Sequence, residues 1–230
     1  MRKEIVILLA IIALVIVGAV IGSNYYRSSV QKDSVVGNSN AGGKPKIAPE
    51  QLVRPDSPSL GPANAKVTLV EFYDPECESC ASFSPVVKKI LKENEGKIRF
   101  VTRYMPLHPN SLTAANFTEA AGEQGKYWEA QDILFRKQPE WGTKHGPPTA
   151  APQPNINELF DKYAKELGLD MDKAAVAIKS KKFDAKIEQD RKDGQAIGVR
   201  RTPTFFVNGR ELATFGESYL RALIEEEMKK

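Results

Sequence analysis

The sequence predicts an α/β fold in which helices cover one mixed sheet and a helical segment is inserted between its strands. Three observations carry that expectation. An apolar, β-branched run (67–73), a helical period (77–94) and an alternating run (97–104) form a strand–helix–strand unit, which implies a parallel pair joined by a right-handed crossover. Residues from about 110 to 197 show mostly helical periods. A short apolar strand then meets Asn208-Gly209 and a return strand, the signature of a hairpin that adds an antiparallel pair.

Each element has its own local reason. V-T-L-V-E-F-Y (67–73) is almost continuously apolar, as in a strand buried on both faces. Phe83, Val86, Val87, Ile90 and Leu91 recur at intervals of three and four. Pro106 and Pro109 stop the second strand. S-L-T-A-A-N-F-T-E-A-A and Lys126–Phe135 read as helices, and 138–155 as a Pro-rich loop. I-N-E-L-F-D-K-Y-A-K-E-L ends at the stop signal Gly168, and 170–197 adds one or two further helices. Ser218 opens a last helix through Leu220, Leu223 and Ile224.

The N-terminal part is of a different kind. Residues 5–22, IVILLAIIALVIVGAVIG, contain no charge. At about 1.5 Å per residue such a helix reaches about 27 Å, close to the ~30 Å hydrocarbon layer. The run is longer than the apolar core of a cleaved signal peptide, and only Val20-Ile21-Gly22 before Ser23 offers a weak cleavage site. No cysteine follows it to carry a lipid. An uncleaved transmembrane signal anchor is expected, with the tip, residues 1–4, held cytoplasmic by Arg2 and Lys3. The rest of the chain then lies on the extracytoplasmic side of the cell membrane. Residues 23–57, rich in Ser, Asn, Gly and Pro, read as a flexible linker to a folded domain over 58–230. An ordered extension packed on the domain is the alternative near Leu60.

Composition excludes little but sets bounds. At 230 residues and 41% hydrophobic, the chain holds one ordinary domain plus appendages. Its 33 basic and 29 acidic residues nearly cancel and are scattered, which gives no case for a nucleic-acid partner.

The chemistry sits in V-E-F-Y-D-P-E-C-E-S-C. Cys77 and Cys80 are the only cysteines of the chain. They fall where a strand gives way to a helix, a setting in which Cys-x-x-Cys reads as a redox pair. At a helix N-terminus unpaired N–H groups and the macrodipole favour an anion, so Cys77 is the expected thiolate nucleophile. Cys80, three residues on, faces the same side and can resolve a mixed disulfide. A zinc site needs more ligands than His108 and His145, which lie in separate loops, so no metal or other cofactor is expected. A purely structural disulfide over so small a loop adds little stability. Glu71 lies within the apolar strand, where burial should raise its pKa and fit it to exchange protons with Cys80. His108 reads as a loop residue with a packing role, and Tyr127, Trp128 and Phe135 as core. The loop 138–155, with Trp141 and His145, is a candidate flank of a substrate groove.

V-T-L-V-E-F-Y-D-P-E-C-E-S-C and the later G-V-R-R-T-P-T-F-F-V-N-G resemble DsbA-like proteins of the thioredoxin fold. R-Y-M-P-L-H-P-N-S-L-T-A-A and G-K-Y-W-E-A-Q-D-I-L-F look like that group's helical insertion, placed here at about 110–197. The resemblance covers about residues 58–230. It implies a thioredoxin-like fold and thiol–disulfide exchange through Cys77 and Cys80, with an acid at Glu71. It also implies a cis peptide at Thr202-Pro203 facing the dithiol, where the backbone binds an extended substrate. The implied activity is disulfide donation to cysteine-containing exported proteins. The implied partner is a membrane protein, linked to quinone, that reoxidises the dithiol. A reductase or isomerase of the same compartment, or a non-enzymatic chaperone or peptide-binding module, is the alternative.

Two departures from the group concern redox tuning. The dipeptide between the cysteines is Glu78-Ser79, without the histidine or proline common in relatives. Glu78 should disfavour a nearby thiolate, giving a less acidic Cys77 and a less oxidising couple than in strongly oxidising relatives. Arg201, with Arg200, precedes Thr202-Pro203 and could offset that charge.

Overall fold

The computed structural model describes residues 45–143 and 155–230. The expected tip, the anchor (5–22) and most of the expected linker lie outside these. Among the described residues no helix is long and apolar enough to cross a membrane.

The strands are β1 (Ser59–Leu60), β2 (Val67–Tyr73), β3 (Ile98–Tyr104), β4 (Thr204–Val207) and β5 (Arg210–Glu211). They form one sheet in the order β1-β3-β2-β4-β5. β2 and β3 are parallel, joined through the helix α2 (Glu78–Glu93), and every other pair is antiparallel. This is the mixed sheet the sequence predicts. Asn208 and Gly209, at φ 45° and 85°, make the β4–β5 turn, with Val207 opposite Arg210. Positive φ at both turn residues suits the right-handed twist of the strands.

β2 is buried along both faces, and its alternation divides the core. Val67 and Leu69 pack with Phe83, Val87 and Ile90 of α2 and with Leu220 and Ile224 of the last helix, Glu217–Lys229. Val70 and Phe72 face the other way, toward Leu52, Val101, Met105, Val199 and Phe206. Pro85 lies inside α2, where its ring removes one backbone donor from the helix ladder.

That second face corrects the N-terminal boundary. Residues 45–57 lie within the expected linker, yet they are docked on the domain. Ile47 donates its N–H to the Gly209 carbonyl at 2.9 Å, and Pro49–Leu52 forms a short helix, α1. Leu52 is 2% exposed, and its carbonyl accepts from Arg103 Nη1 at 2.8 Å. Composition alone does not show this, because one buried leucine and a few hydrogen bonds to distant residues leave no period to detect.

Between β3 and β4 run α3 (Ser111–Gly122), α4 (Tyr127–Arg136), α5 (Gln138–Trp141), α6 (Ile156–Glu166), α7 (Met171–Lys179) and α8 (Asp184–Ala196). Ala114, Phe117, Ile133, Leu134, Trp141, Phe160 and Tyr163 give the insertion a core of its own. Two expectations shift here. The start of the expected Pro-rich loop is helical, and Trp141 is 3% exposed, its Nε1 donating to the Leu134 carbonyl at 2.9 Å. Trp141 therefore belongs to the core, not to a groove. His145 lies outside the described residues. The second shift concerns α8, which covers the sheet as well as packing on the insertion. Its Asp190 binds Arg103 of β3, and a Cβ on its Gly194 would sit 3.0 Å from the Phe72 ring.

Candidate active site

The site forms where β2 ends. Asp74, Pro75 and Glu76 turn the chain, and Cys77 is the N-cap of α2, with φ −76° and ψ 120°. Asp74 Oδ1 accepts the Glu76 N–H at 2.8 Å, and the Asp74 carbonyl accepts the Cys77 N–H at 3.1 Å. An aspartate capping the N–H two residues on is a turn built by its own side chain.

The two sulfurs differ in surroundings. Cys77 is 6% exposed and Cys80 is fully enclosed, and both are free thiols. Cys77 Sγ lies 3.4 Å from the Thr202 carbonyl, and the Thr202–Pro203 peptide is cis. The Cys77 thiol is lowered to about 6. The hydrogen bond with the Cys80 side chain contributes most; burial opposes it, and the Thr202 side chain and the backbone of Cys80 and Ser79 add to the lowering. The Cys80 thiol is pushed well up, first by burial, then by its bond to Cys77 and by the charges of Glu71 and Cys77.

Glu71 is buried in β2 opposite Thr102 and Phe205. Burial, followed by the Cys77 charge, raises its carboxyl to about 8. It lines a cavity of about 70 Å³ together with Leu60, Ser84, Lys88, Trp128 and Gln131. A space of that size has room for water beside the acid.

The structure thus gathers Glu71, Cys77, Cys80, Thr202 and Pro203 at one corner. Glu78 and Ser79 lie exposed on the first turn of α2. Arg201 lines a small recess with Pro203, Phe205 and Phe215. Arg200 Nη1 donates to the carbonyls of Gln195 and Val199.

Two acids of the loop escaped the sequence reading. Asp74 is fully buried; its Oδ2 accepts from Leu107 N at 2.6 Å, His108 N at 3.2 Å and His108 Nδ1 at 2.7 Å, and its Oδ1 accepts from Ser111 Oγ. Glu76, 3% exposed, accepts from Asn110 N at 2.6 Å, Asn110 Nδ2 at 2.9 Å and Thr143 N and Oγ1, each at 2.7 Å. Together they fasten the redox loop to the insertion. The Asp-Pro-Glu turn could have flagged Asp74. Apart from the Glu76 N–H, the side-chain partners of both acids lie thirty or more residues away, beyond any local signal.

Comparison with known proteins agrees with this geometry. A family model described as Thioredoxin matches residues 54–226. The chain is similar to oxidised BdbD from Bacillus subtilis, at 25% identity and TM-score 0.66, over 80% of this chain and 97% of that one. It is similar to a thioredoxin-like oxidoreductase from Silicibacter pomeroyi, at 26% and 0.65, over 80% and 99%. Wolbachia pipientis alpha-DsbA1, at 22% and 0.66 over 77% and 94%, shares the fold. Among curated relatives, a Na(+)/H(+) antiporter NhaA of Herminiimonas arsenicoxydans is 33% identical over 175 residues, 74% of this chain and 26% of that protein. The chain spans about a quarter of the length of such relatives. Fold and paired sulfurs are those of a thioredoxin-type dithiol site. The chain belongs to the thioredoxin family.

Proposed function

We propose that the protein is a membrane-anchored, extracytoplasmic oxidase that donates the Cys77–Cys80 disulfide to cysteine-containing exported proteins and is reoxidised by a membrane partner. The observation that carries the reading is the inequality of the two sulfurs beside a protonatable buried acid. A substrate thiolate attacks Cys77 Sγ, the S–S bond breaks, and Cys80 leaves with the electron pair. Glu71, protonated below about 8, supplies the proton that the enclosed Cys80 requires, and it is reprotonated through the adjoining cavity. A second substrate thiolate attacks its partner sulfur in the mixed disulfide and releases Cys77. Two electrons pass from substrate to enzyme, one proton ends on Cys80 and the other enters solvent. Cys77 leaves readily because its thiolate is stable near pH 6 and above. Thr202 and Pro203, across from Cys77, present backbone to an extended substrate in the manner of strand addition.

Stabilising the thiolate stabilises the reduced enzyme, and so makes its disulfide the better oxidant. The anchor (5–22) and the extracytoplasmic placement rest on the uncharged apolar run after Arg2 and Lys3. Equilibration of the couple with glutathione tests the direction. A potential above about −200 mV supports the oxidase, and one below about −250 mV makes the protein a reductase. Placement is tested by labelling intact cells with a membrane-impermeant maleimide after mild reduction: Cys77 should react, and protection until lysis would refute the assignment.

A further inference from the structure

We propose that His108 is a redox-tuning residue of the Cys77–Cys80 couple, acting through Asp74: its ring, when protonated, offsets the carboxylate charge that the loop holds beside the Cys77 sulfur. This rests on the redox reading above. The pair between the cysteines is Glu78-Ser79, so the motif itself supplies no cation. Instead the loop contains two buried carboxylates, Asp74 and Glu76, within three residues of Cys77. Unscreened, both oppose a thiolate at Cys77. Glu76 is met by uncharged donors, Asn110 and Thr143. Asp74 is met by the backbone N–H groups of Leu107 and His108, by Ser111 and by one group that can carry charge, His108 Nδ1 at 2.7 Å.

The connection to the sulfur is short. The Asp74 carbonyl accepts the Cys77 N–H, while its side chain holds the imidazole. The His108 side chain is 27% exposed and meets solvent directly, whereas the Asp74 side chain is fully buried. Among the described residues, the charged and titratable groups acting on the ring are Asp74, Cys77 and Glu76, from the β2–α2 loop. From the start of α3, Ser111 adds an uncharged hydroxyl to the His108 N–H at 3.1 Å. Burial pulls the imidazole down, but the bond to Asp74 and the charges of Asp74, Cys77 and Glu76 outweigh it and leave the pKa raised. His108 and Cys77 are therefore coupled sites, and the coupling must be equal whichever one is observed.

The test needs no variant at His108. The full chain has two histidines, so NMR titration follows two imidazoles, and His145→Gln assigns them. His108 should titrate at higher pH in the reduced than in the oxidised protein, by on the order of half a pH unit. Equal values in the two states overturn the proposal. By reciprocity, His108→Gln should raise the Cys77 pKa by the same amount and move the glutathione equilibrium roughly threefold toward the protein disulfide. Lost thermal stability with an unchanged Cys77 pKa would mean that His108 only packs. A dithiol that does not cycle with glutathione at all defeats the oxidoreductase reading first, and the tuning role with it.

Discussion

Glu71 and Arg103 lie on neighbouring strands, one step apart in register, and point to opposite faces of one sheet. Glu71 is opposite Thr102, and Phe72 is opposite Arg103. Both are buried, at 6% and 0% exposure. Their surroundings differ completely. Arg103 donates from Nε to Asp190 Oδ1 at 2.6 Å, from Nη2 to Asp193 Oδ2 at 2.6 Å and from Nη1 to the Leu52 carbonyl, and it stacks on Phe72. Asp190 turns its other oxygen to the Tyr104 N–H at 3.1 Å. Glu71 faces apolar packing, two sulfurs and a small cavity, and burial keeps it protonated through neutral pH. A compensated buried charge fixes structure, whereas an uncompensated acid is destabilising as an anion and therefore ready to exchange its proton.

The contrast is sharpest in the pH dependence of stability. The folded pKa of Glu71, about 8, exceeds its ordinary 4.5. The unfolded chain thus loses its proton first, and the wild type forfeits stability as pH rises from 4.5 to 8. Glu71→Gln removes that loss. In reduced protein the variant's advantage should grow by up to about 1.4 kcal/mol per pH unit inside that window and be flat outside it. In oxidised protein the window should narrow at its upper end, because the Cys77 charge is gone. Denaturant midpoints across pH report both, and parallel curves for wild type and variant would break the comparison at its root.

Arg103→Leu is the counterpart on the other face and should destabilise by about 3–5 kcal/mol, since it strands Asp190 in a buried position. The loss should ease at low pH, where Asp190, already raised by burial despite Arg103, takes up a proton. The potential of Cys77–Cys80 in the fraction that folds should stay at the wild-type value. A shifted potential would show that the two faces are not independent.

These two residues also mark what a sequence exposes. Cys77, Cys80, Glu71 and Thr202-Pro203 are legible because each breaks a local rule: a paired cysteine at a helix start, an acid in an apolar strand, a proline opening one. The parallel pair and the hairpin follow from the same local periods and the Asn208-Gly209 turn, whereas the edge strand β1 and the β2–β4 pairing come from tertiary contact. Arg103 sits in an alternating strand and looks like any outward residue until α8 and α1 cover it. α8 has few apolar residues, and Asp190 anchors it to the sheet through Arg103. Leu52 in a Pro- and Ser-rich stretch and the partners of Asp74 and Glu76 are likewise products of tertiary contact, with no periodic trace.

The smallest expected effect concerns Glu78, the first residue of α2 next to the Cys77 cap. Its carboxylate is exposed, so water and salt screen it. On the Arg103 face, removing such a surface charge, as in Arg54→Gln beside Asp193, should leave the couple untouched. Cys77 differs because its thiol titrates at about 6, within reach of ordinary pH, and a weak field there changes the thiolate fraction directly. Glu78→Gln should lower the Cys77 pKa by a few tenths of a pH unit at low ionic strength, and the difference should shrink as salt is added. Thiolate absorbance against pH measures it. An unchanged or raised pKa would mean that the helix terminus and the bonds from Cys80 and Thr202 already set the thiolate, and that the dipeptide between the cysteines has lost its tuning role in this protein.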